Sequence, residues 1–388
     1  MERYNVYSSY LKETYGEKVY KLPISIPDTC PNRDGTLGTR GCVYCGSIGA
    51  GYENLPASVT ISEQIEKNIA HIQPKYKANK FIAYFQNFTN TYLPPDTFRD
   101  YLIQACHPDI VGIAVATRPD CINKVYLDHM AEIKETYGVD ILVEFGLQTA
   151  NYKTLQKINR GHTLAEYIDA MMMMREYPFR TCTHVILDLP WDTMEDVVET
   201  AKVISALGSD EVKLHALYVI KNTVLADWYH QGDIALVPVE EYVDRVVAFL
   251  EYSRPDIVFQ RLIGRAPKEA TEFANWGMGW WRIRDMIDEE LEKRGTCQGD
   301  RKSTRLNSSH RGSPSAGYVA GEKVRLSRWQ SRTQIHDYRL KGDMKRVHRK
   351  KTDLYRYDRS QSRTGYERRI PADPAERISQ LSYSRQGK

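Results

Sequence analysis

Three cysteines lie close together near the start of the chain, in the segment Cys30-Pro-Asn-Arg-Asp-Gly-Thr-Leu-Gly-Thr-Arg-Gly-Cys42-Val-Tyr-Cys45. Glycine and proline interrupt this segment, so it is predicted to be a loop. Thiolates are soft ligands that suit zinc or an iron–sulfur cluster. A structural zinc site needs four ligands, and the loop has no histidine and no fourth cysteine. The spacing favours an iron–sulfur cluster with one open iron, although Cys-x-x-Cys pairs also bind zinc.

The other four cysteines, at positions 106, 121, 182 and 297, are scattered through the chain. An odd number of cysteines in a chain of 388 residues is not typical of a secreted disulfide framework. The sequence has no apolar run of about 18 residues, and its first residues lack the apolar core of a secretory signal. We therefore expect no membrane association and a cytoplasmic location.

The cysteine loop follows the first of six short apolar segments, which alternate with helical patterns between residues 15 and 235. Nearly continuous apolar segments of this length are typical of parallel strands buried on both faces. The predicted strands are 19–26, 81–85, 110–116, 141–145, 183–187 and 212–219. The repeated strand–loop–helix order predicts an α/β fold, a partial (β/α)6 parallel barrel.

The segments between the predicted strands begin with helix start signals. Thr60–Glu63 and Thr163–Glu166 have the spacing of a capping box, in which a threonine and a glutamate satisfy each other's backbone N–H groups. Thr97–Asp100 and Thr193–Asp196 are weaker versions of the same pattern. These signals support helices between the strands.

Polar residues follow the predicted strands, where the chemistry of a (β/α) barrel is expected. The candidates are Gln86, Asn90, Arg118, Glu144, Gln148 and Asp188. Loops that follow strands meet water and are polar for that reason alone. This explanation suits Arg118 and Gln148 less well, because each directly follows a buried apolar segment.

A second unit is predicted from residue 236 to residue 300, as a small C-terminal α/β domain. It would contain a helix over Glu240–Tyr252, a strand over Asp256–Leu262 and a closing helix over Trp280–Leu291. The apolar residues of the first helix fall on one side, which indicates packing against a core.

The last part of the chain differs in composition from the rest. Residues 301–388 carry 23 Lys and Arg against 8 Asp and Glu, a net charge of +15, which leaves a net charge of −11 for residues 1–300. Ser, Arg and Lys dominate this tail, as is typical of disorder. Residues 302–310 resemble translated vector sequence, so we expect a basic, poorly ordered, non-native tail. A nucleic-acid-binding arm is the competing interpretation.

Several motifs together resemble a known family. The spacing Cys30-x11-Cys42-x2-Cys45, with Tyr44 inside the final pair, resembles the cluster loop of radical S-adenosylmethionine (SAM) enzymes in an expanded form. The wider resemblance is carried by residues 81–92, 116–120, 144–149, 158–163 and 213–218. In this order the motifs are similar to the YhcC-type radical SAM proteins, a branch related to the catalytic subunit of Elongator. The resemblance covers roughly residues 1–300.

The resemblance implies two cofactors, a 4Fe–4S cluster bound by Cys30, Cys42 and Cys45, and SAM bound at the open iron. It implies that reductive cleavage of SAM yields a 5′-deoxyadenosyl radical that abstracts hydrogen from a substrate, with electrons from a donor of the flavodoxin or ferredoxin type. The residues that the resemblance implies as SAM contacts are Tyr44, Gln86, Asn90, Arg118, Glu144, Gln148 and Asp188. The chain lacks the glycines that the family carries after the second strand.

Three functional hypotheses follow for the chain. The first is a radical SAM enzyme that modifies RNA, by analogy with Elongator and tRNA-modifying relatives, although residues 1–300 are acidic. The second is a radical SAM enzyme that acts on a small molecule or a protein side chain. The third is a binding module that zinc or a structural iron–sulfur cluster stabilises, without SAM chemistry. Reductive cleavage of SAM distinguishes the third hypothesis from the other two.

Overall fold

The structure is a computed structural model that describes residues 2–49, 51–265 and 268–301. The predictions made for the basic tail therefore lie outside the described residues, apart from Arg301. The strands are β1 (Val19–Ile24), β2 (Lys80–Phe85), β3 (Ile110–Thr117), β4 (Asp140–Gln148), β5 (Arg180–Ile186), β6 (Glu211–His215), β7 (Val219–Ile220), β8 (Val258–Arg261) and β9 (Thr271–Phe273). The helices are α1 (Tyr7–Tyr15), α2 (Ile61–Tyr76), α3 (Pro95–Gln104), α4 (Lys124–Tyr137), α5 (Tyr152–Lys157), α6 (Leu164–Met174), α7 (Met194–Leu207), α8 (Val224–Gln231), α9 (Val239–Tyr252) and α10 (Trp280–Arg294).

The main sheet contains seven parallel strands in the order β1-β2-β3-β4-β5-β6-β8 and is curled into a partial barrel with helices on its outside. This confirms the predicted α/β class and parallel partial barrel. The predicted number of strands was too small, because β8 pairs with β6 as a seventh strand. The predicted strand 212–219 is also two elements, since β6 ends at His215 and β7 pairs with β9 in a separate antiparallel sheet.

The strands of the main sheet bury different side chains on their two faces. Large apolar side chains such as Phe81, Val143 and Leu214 face the surrounding helices, and each is fully buried. Side chains alternate between the two faces of a strand, so the residues next to these point into the barrel. This alternation places Glu144 and Lys213 on the inner face, although both come from apolar segments.

The N-terminal segment covers the open side of the barrel. Val6 bridges to Phe259 of β8, and the Phe259 backbone N–H donates to the carbonyl of Asn5 at 2.9 Å. Helix α1 contacts both edge strands, β1 and β8. The boundary predicted at residue 235 stays a prediction, and β8, which lies beyond it, belongs to the main sheet.

The helix start signals agree with the structure at three of four positions. Full capping boxes are present at Thr163 and Thr193, and Thr60 caps α2 by accepting from the Glu63 backbone N–H. Thr97 lies inside α3, which begins two residues earlier with a proline in its first turn. Within the described ranges, no helix is both long enough and apolar enough to cross a membrane.

Candidate functional site

The cysteine loop and the inner face of the sheet line one cavity of about 830 Å³. Cys30, Cys42 and Cys45 all contribute to its wall. The loop follows β1, so the cysteines lie at the C-terminal end of the parallel strands, where barrel chemistry is expected. The end of the cavity formed by these cysteines is called the loop end below.

Backbone hydrogen bonds hold the loop against the segment that follows α5. The Val43 N–H donates to the Ile158 carbonyl at 3.0 Å, and the Gly41 N–H donates to the Asn32 carbonyl at 2.8 Å. Gly41 has a φ of 74°, a conformation that residues with a Cβ rarely adopt. Asn159 donates its side-chain N–H to the Gly41 carbonyl at 2.8 Å. These hydrogen bonds fix the loop against the segment that follows α5.

Three polar N–H groups point at cysteine sulfur atoms. Arg118 Nη1 lies 3.7 Å from Cys30 Sγ, and Arg160 Nη1 lies 3.7 Å from Cys42 Sγ. Asn32 Nδ2 lies 3.7 Å from the same Cys42 sulfur. Donors of this kind tune a metal centre that cysteine thiolates bind.

The spacing of the sulfur atoms bears on the choice between zinc and an iron–sulfur cluster that the sequence left open. Four sulfurs around one tetrahedral zinc ion are about 3.8 Å apart, since each Zn–S bond is about 2.3 Å. Among the described residues, Cys30, Cys42 and Cys45 do not form a group whose ligand atoms all lie within 4.8 Å of one another. The wider spacing fits a larger cluster. Burial, followed by the charges of Cys42 and Cys30, raises the pKa of the Cys45 thiol. A raised pKa means that ionising the buried Cys45 thiol costs free energy. The positive charge of the iron atoms would offset this cost, so the residues fit a 4Fe–4S group.

Arg118 joins the loop end to the segment after β3. Its guanidinium makes a two-point ion pair with Asp120, at 2.9 and 2.7 Å, and its Nη1 also donates to the Arg160 carbonyl at 2.9 Å. The side chain is almost fully buried. The contacts to Asp120 and to the Arg160 backbone hold the side chain beside Cys30.

The end of β4 is irregular at the cavity wall. The pairing of β4 with β5 shifts register between Gly146 and Gln148, and Gln148 has a φ of 79°. A Cβ on Gly146 would lie 2.7 Å from Arg160 Nη2, so a larger residue there would displace the Arg160 guanidinium. The Gly146 carbonyl accepts from Arg160 at 2.6 Å and contacts His162 Nε2 at 3.0 Å. Backbone strain of this kind is concentrated at functional sites.

The opposite end of the cavity, called the inner end below, contains a second polar assembly. Glu144 is completely buried, and both of its carboxylate oxygens accept hydrogen bonds. Oε1 accepts from Lys21 at 2.5 Å and from Gln260 at 3.0 Å, and Oε2 accepts from Lys213 at 2.6 Å and contacts His184 at 2.8 Å. These five residues, which come from β1, β4, β5, β6 and β8, are called the Glu144 group below.

Electrostatics explain how the Glu144 group tolerates burial. Burial alone would raise the pKa of Glu144, but the ammonium groups of Lys21 and Lys213 hold it well below its ordinary value. Burial lowers the pKa of Lys213 to about 8 and that of His184 to about 4. At neutral pH, Glu144 is therefore ionised between two ammonium groups, and His184 is a neutral hydrogen-bond donor.

Glu144, Cys182 and His184 are also close enough in space to suggest a metal site, since their ligand atoms lie within 4.8 Å of one another. The carboxylate already has two ammonium partners, Lys21 and Lys213. A cation would have to displace these lysines and face their repulsion. The Glu144 group is therefore an ion-pair network, and Glu144, Cys182 and His184 do not form a second metal centre.

The structure brings most of the predicted site residues together. The cavity is lined by Cys30, Cys42, Tyr44, Cys45, Gln86, Arg118, Glu144 and Gln148. Burial raises the pKa of Tyr44 well above its ordinary value, so its hydroxyl stays protonated beside Cys42.

Asn90 and Asp188 lie outside the cavity lining. Asn90 donates its side-chain N–H to the carbonyls of Phe85 and Ala116, at 3.0 and 2.7 Å, and so ties two neighbouring strand ends together. Asp188 accepts the Leu217 N–H at 2.7 Å, and burial raises its pKa to about 7. Both side chains are used to brace the backbone, so their predicted contact with SAM stays a prediction.

Several residues in the cavity wall or in contact with it were not predicted. Arg160, Lys21, His184 and Gln260 line the cavity, whereas Asn32 and His162 lie outside its lining and contact Cys42 and the Gly146 carbonyl. The alternation Glu-Val-Lys-Leu-His in β6 is a signal that points Lys213 to one face with its neighbours Glu211 and His215. No comparable signal brings Lys21 and Gln260 together, because they are separated by most of the chain.

Comparison with known proteins agrees with the fold and the loop. A profile of the Radical SAM superfamily matches residues 25–204, and a profile of the Radical_SAM C-terminal domain matches residues 209–293. YtqA of Bacillus subtilis is 34% identical over 300 residues, which cover 77% of this chain and 92% of YtqA. YhcC of Escherichia coli strain K12 is 30% identical over 292 residues, 75% of this chain and 93% of YhcC.

A solved structure shares the fold. Elp3 of the archaeon Methanocaldococcus infernus, with an N-terminal deletion, superposes with a TM-score of 0.55 at 15% sequence identity. The superposition covers 72% of this chain and 64% of that one.

The curled parallel sheet, the three-cysteine loop and the sequence matches define a radical SAM enzyme. The chain belongs to the radical SAM superfamily, whose cofactors are a 4Fe–4S cluster and SAM. The family predicted from the sequence motifs, with its YhcC-type relatives, is thereby confirmed.

Proposed function

We propose that this enzyme cleaves SAM reductively at the loop end of the cavity and uses the resulting radical on a substrate bound further inside. The observation that carries the proposal is the convergence of Cys30, Cys42 and Cys45 on the loop end of a cavity that continues to the Glu144 group. Cys30, Cys42 and Cys45 would hold the cluster, and the chemistry that the cluster and SAM would supply is one-electron cleavage of the sulfonium C–S bond to methionine and a 5′-deoxyadenosyl radical able to take a hydrogen atom from the substrate.

The residues of the chain would divide the work by position. Cys30, Cys42 and Cys45 would hold the cluster, with Arg118 and Arg160 donating N–H groups to the sulfurs. Both arginines are buried, so water competes little for these contacts. Their positive charges would make reduction of the cluster easier.

SAM would lie between the loop end and the Glu144 group. Tyr44, Gln86 and Gln148 line this part of the cavity and offer it aromatic and amide groups. Gln148 is held in a left-handed backbone conformation at the bulge of β4, which fixes its direction. Glu144 offers SAM no free oxygen, since its own oxygens already accept from Lys21 and Lys213, so its predicted contact with SAM stays a prediction.

The electron would come from a donor of the flavodoxin or ferredoxin type in the cytoplasm. This proposal is supported by the seven free cysteines, which suit a reducing compartment. RNA is the substrate class suggested by the resemblance to Elongator, whose archaeal relative shares the fold. The net charge of −11 on residues 1–300 argues against a broad RNA-binding surface and favours a substrate that enters the cavity by one end.

The direct test is anaerobic loading of the protein with iron and sulfide, followed by dithionite and SAM. We expect 5′-deoxyadenosine and methionine in the wild type, and neither in a Cys42→Ala variant. Cys106→Ala is the matched control, because Cys106 lies outside the cavity and its thiol is directed at the Leu102 carbonyl. A wild type that binds zinc in the loop and forms no 5′-deoxyadenosine would instead support the metal-stabilised binding module.

A further inference from the structure

The charges that line the cavity are strongly unbalanced. Eight cationic side chains contribute to its wall: Lys18, Lys21, Arg33, Arg118, Arg160, Lys213, Arg261 and Arg265. Only two carboxylates do so among the described residues, Glu53 and Glu144. A cavity with this balance attracts anions, because its walls focus the positive potential.

The cations of the loop end already have partners. Arg118 is paired with Asp120, and Arg160 donates to the Gly146 carbonyl and points at the Cys42 sulfur. Arg33 donates to the carbonyls of Cys45 and Gly46, at 2.7 and 2.5 Å. These arginines are therefore committed to the loop and to the cluster that it binds.

The inner end retains uncompensated charge. Lys21 and Lys213 share the single carboxylate of Glu144. Glu211, the next carboxylate, is paired with Arg180 at 2.9 Å and does not line the cavity. Lys21, Lys213 and Arg261 thus face the cavity beside a single carboxylate, that of Glu144.

Arg261 is the least satisfied of the three. Its Nη2 lies 2.7 Å from His215 Nδ1, and its Nε is buried without a hydrogen-bond partner within the described part of the chain. Burial, and then the charge of Arg261, hold the pKa of His215 well below its ordinary value, so this neutral ring cannot compensate the guanidinium. An orphaned guanidinium N–H is costly unless a ligand accepts from it.

We infer that Lys21, Lys213 and Arg261 form a binding site for an anionic group of the substrate, a carboxylate or a phosphate. The inference rests on the proposed function, since it assigns the substrate of the same cavity. A carboxylate or phosphate suits this site because its oxygens accept from a guanidinium and two ammonium groups at once. The site lies at the inner end, so the remainder of the substrate would lie against the SAM that separates it from the loop end.

The test is calorimetric titration of the cluster-loaded, unreduced protein, which leaves SAM intact. The probes are malonate for a carboxylate, inorganic phosphate for a phosphate and malonamide as a neutral analogue, each with and without saturating SAM. We expect one of the anions to bind in the presence of SAM and malonamide not to bind. Arg261→Gln should weaken that binding by at least about tenfold. Lys21→Gln should weaken it as well, and keeps the test valid if the first variant folds poorly.

Arg99→Gln is the control, because Arg99 is surface-exposed, paired with Glu132 and remote from the cavity lining. The inference is overturned if neither anion binds, or if Arg261→Gln and Lys21→Gln both bind as the wild type does. It is also overturned if saturating SAM abolishes binding, because the site would then hold the carboxylate of SAM itself.

The same preparations are reduced and assayed for 5′-deoxyadenosine. If 5′-deoxyadenosine forms but neither anion binds, only this inference is refuted. If an anion binds but no 5′-deoxyadenosine forms, only the proposed function is refuted.

Discussion

The two ends of the cavity use cationic side chains in different ways. At the loop end, Arg118 and Arg160 direct N–H groups at the sulfurs of the cysteines that would hold the cluster. At the inner end, Lys21 and Lys213 share the ionised carboxylate of Glu144 within the protein itself. The loop end should therefore govern cofactor loading, and the Glu144 group should govern the stability of the sheet.

The largest expected effect is at the loop end. Cys42→Ala removes one of three cluster ligands and the acceptor for both Arg160 and Asn32. Loss of a residue that merely supports a metal ligand typically costs 10–100-fold, so loss of the ligand should lower 5′-deoxyadenosine formation by more than about a hundredfold. Bound iron, measured after anaerobic loading, should fall with it, while the circular dichroism spectrum of the protein stays unchanged. A variant that loads iron normally would break the assignment of this cysteine.

The second effect is at the inner end and concerns stability. Glu144→Gln leaves two ammonium groups buried without their carboxylate, which should lower the free energy of unfolding by about 3–5 kcal/mol. Urea unfolding of the protein without cofactors measures this directly. Glu132→Gln is the control, since Glu132 forms an exposed pair with Arg99 that solvent screens, and it should lower the free energy of unfolding far less than Glu144→Gln does. Equal stability of the two variants would contradict the distinction between the two ends.

A third prediction concerns Asp188, which lies outside both ends. Burial raises its pKa to about 7 from 3.8, so the folded protein binds a proton that the unfolded chain releases above pH 4. The stability that comes from this proton is present below pH 4 and is lost as the pH rises to about 7. Asp188→Asn keeps the acceptor for the Leu217 N–H without the charge, and should be more stable than the wild type by about 2–4 kcal/mol at pH 8.

The measurement is urea unfolding at several pH values. The stability difference between Asp188→Asn and the wild type should grow between pH 4 and pH 7 and then level off. Asp96→Asn, at a fully exposed side chain, is the control and should show no such trend. If Asp188→Asn instead binds SAM more weakly than the wild type, Asp188 contributes to the cofactor site.

The smallest effect is on the reduction potential of the cluster. Arg160→Gln removes a buried positive charge and an N–H group that lies 3.7 Å from Cys42 Sγ. Reduction adds negative charge, so the potential should become more negative by roughly 40–90 mV, the equivalent of about 1–2 kcal/mol for one electron. A redox titration followed by electron paramagnetic resonance measures it. Arg160→Lys keeps the charge and should shift the potential less, and identical shifts would show that charge is not the cause.

The loop end could be predicted from the sequence because its three ligands are close together along the chain. The sequence also predicted the parallel strands, since buried strands have nearly continuous apolar segments. It placed the end of the sixth strand too late, because the apolar segment continues through a bend after His215 into β7. It missed β8 as a member of the main sheet, because pairing between β6 and β8 joins distant parts of the chain.

The inner end could not be predicted, for a physical reason. Each of five strands contributes one residue to the Glu144 group, so the group depends on the register between strands and not on any local spacing. Residue type at a strand end does not fix the direction of a side chain. Asn90 and Asp188 hydrogen-bond to backbone groups in the structure, and their predicted contact with SAM stays a prediction.

The most direct test of the central claim is a Mössbauer spectrum of the protein loaded with ⁵⁷Fe, recorded before and after SAM is added. If Cys30, Cys42 and Cys45 are the only protein ligands to a 4Fe–4S cluster, one iron of the four should change its signal when SAM binds, and the other three should not. A spectrum that SAM leaves unchanged, or a protein that takes up zinc in place of iron, would contradict the account.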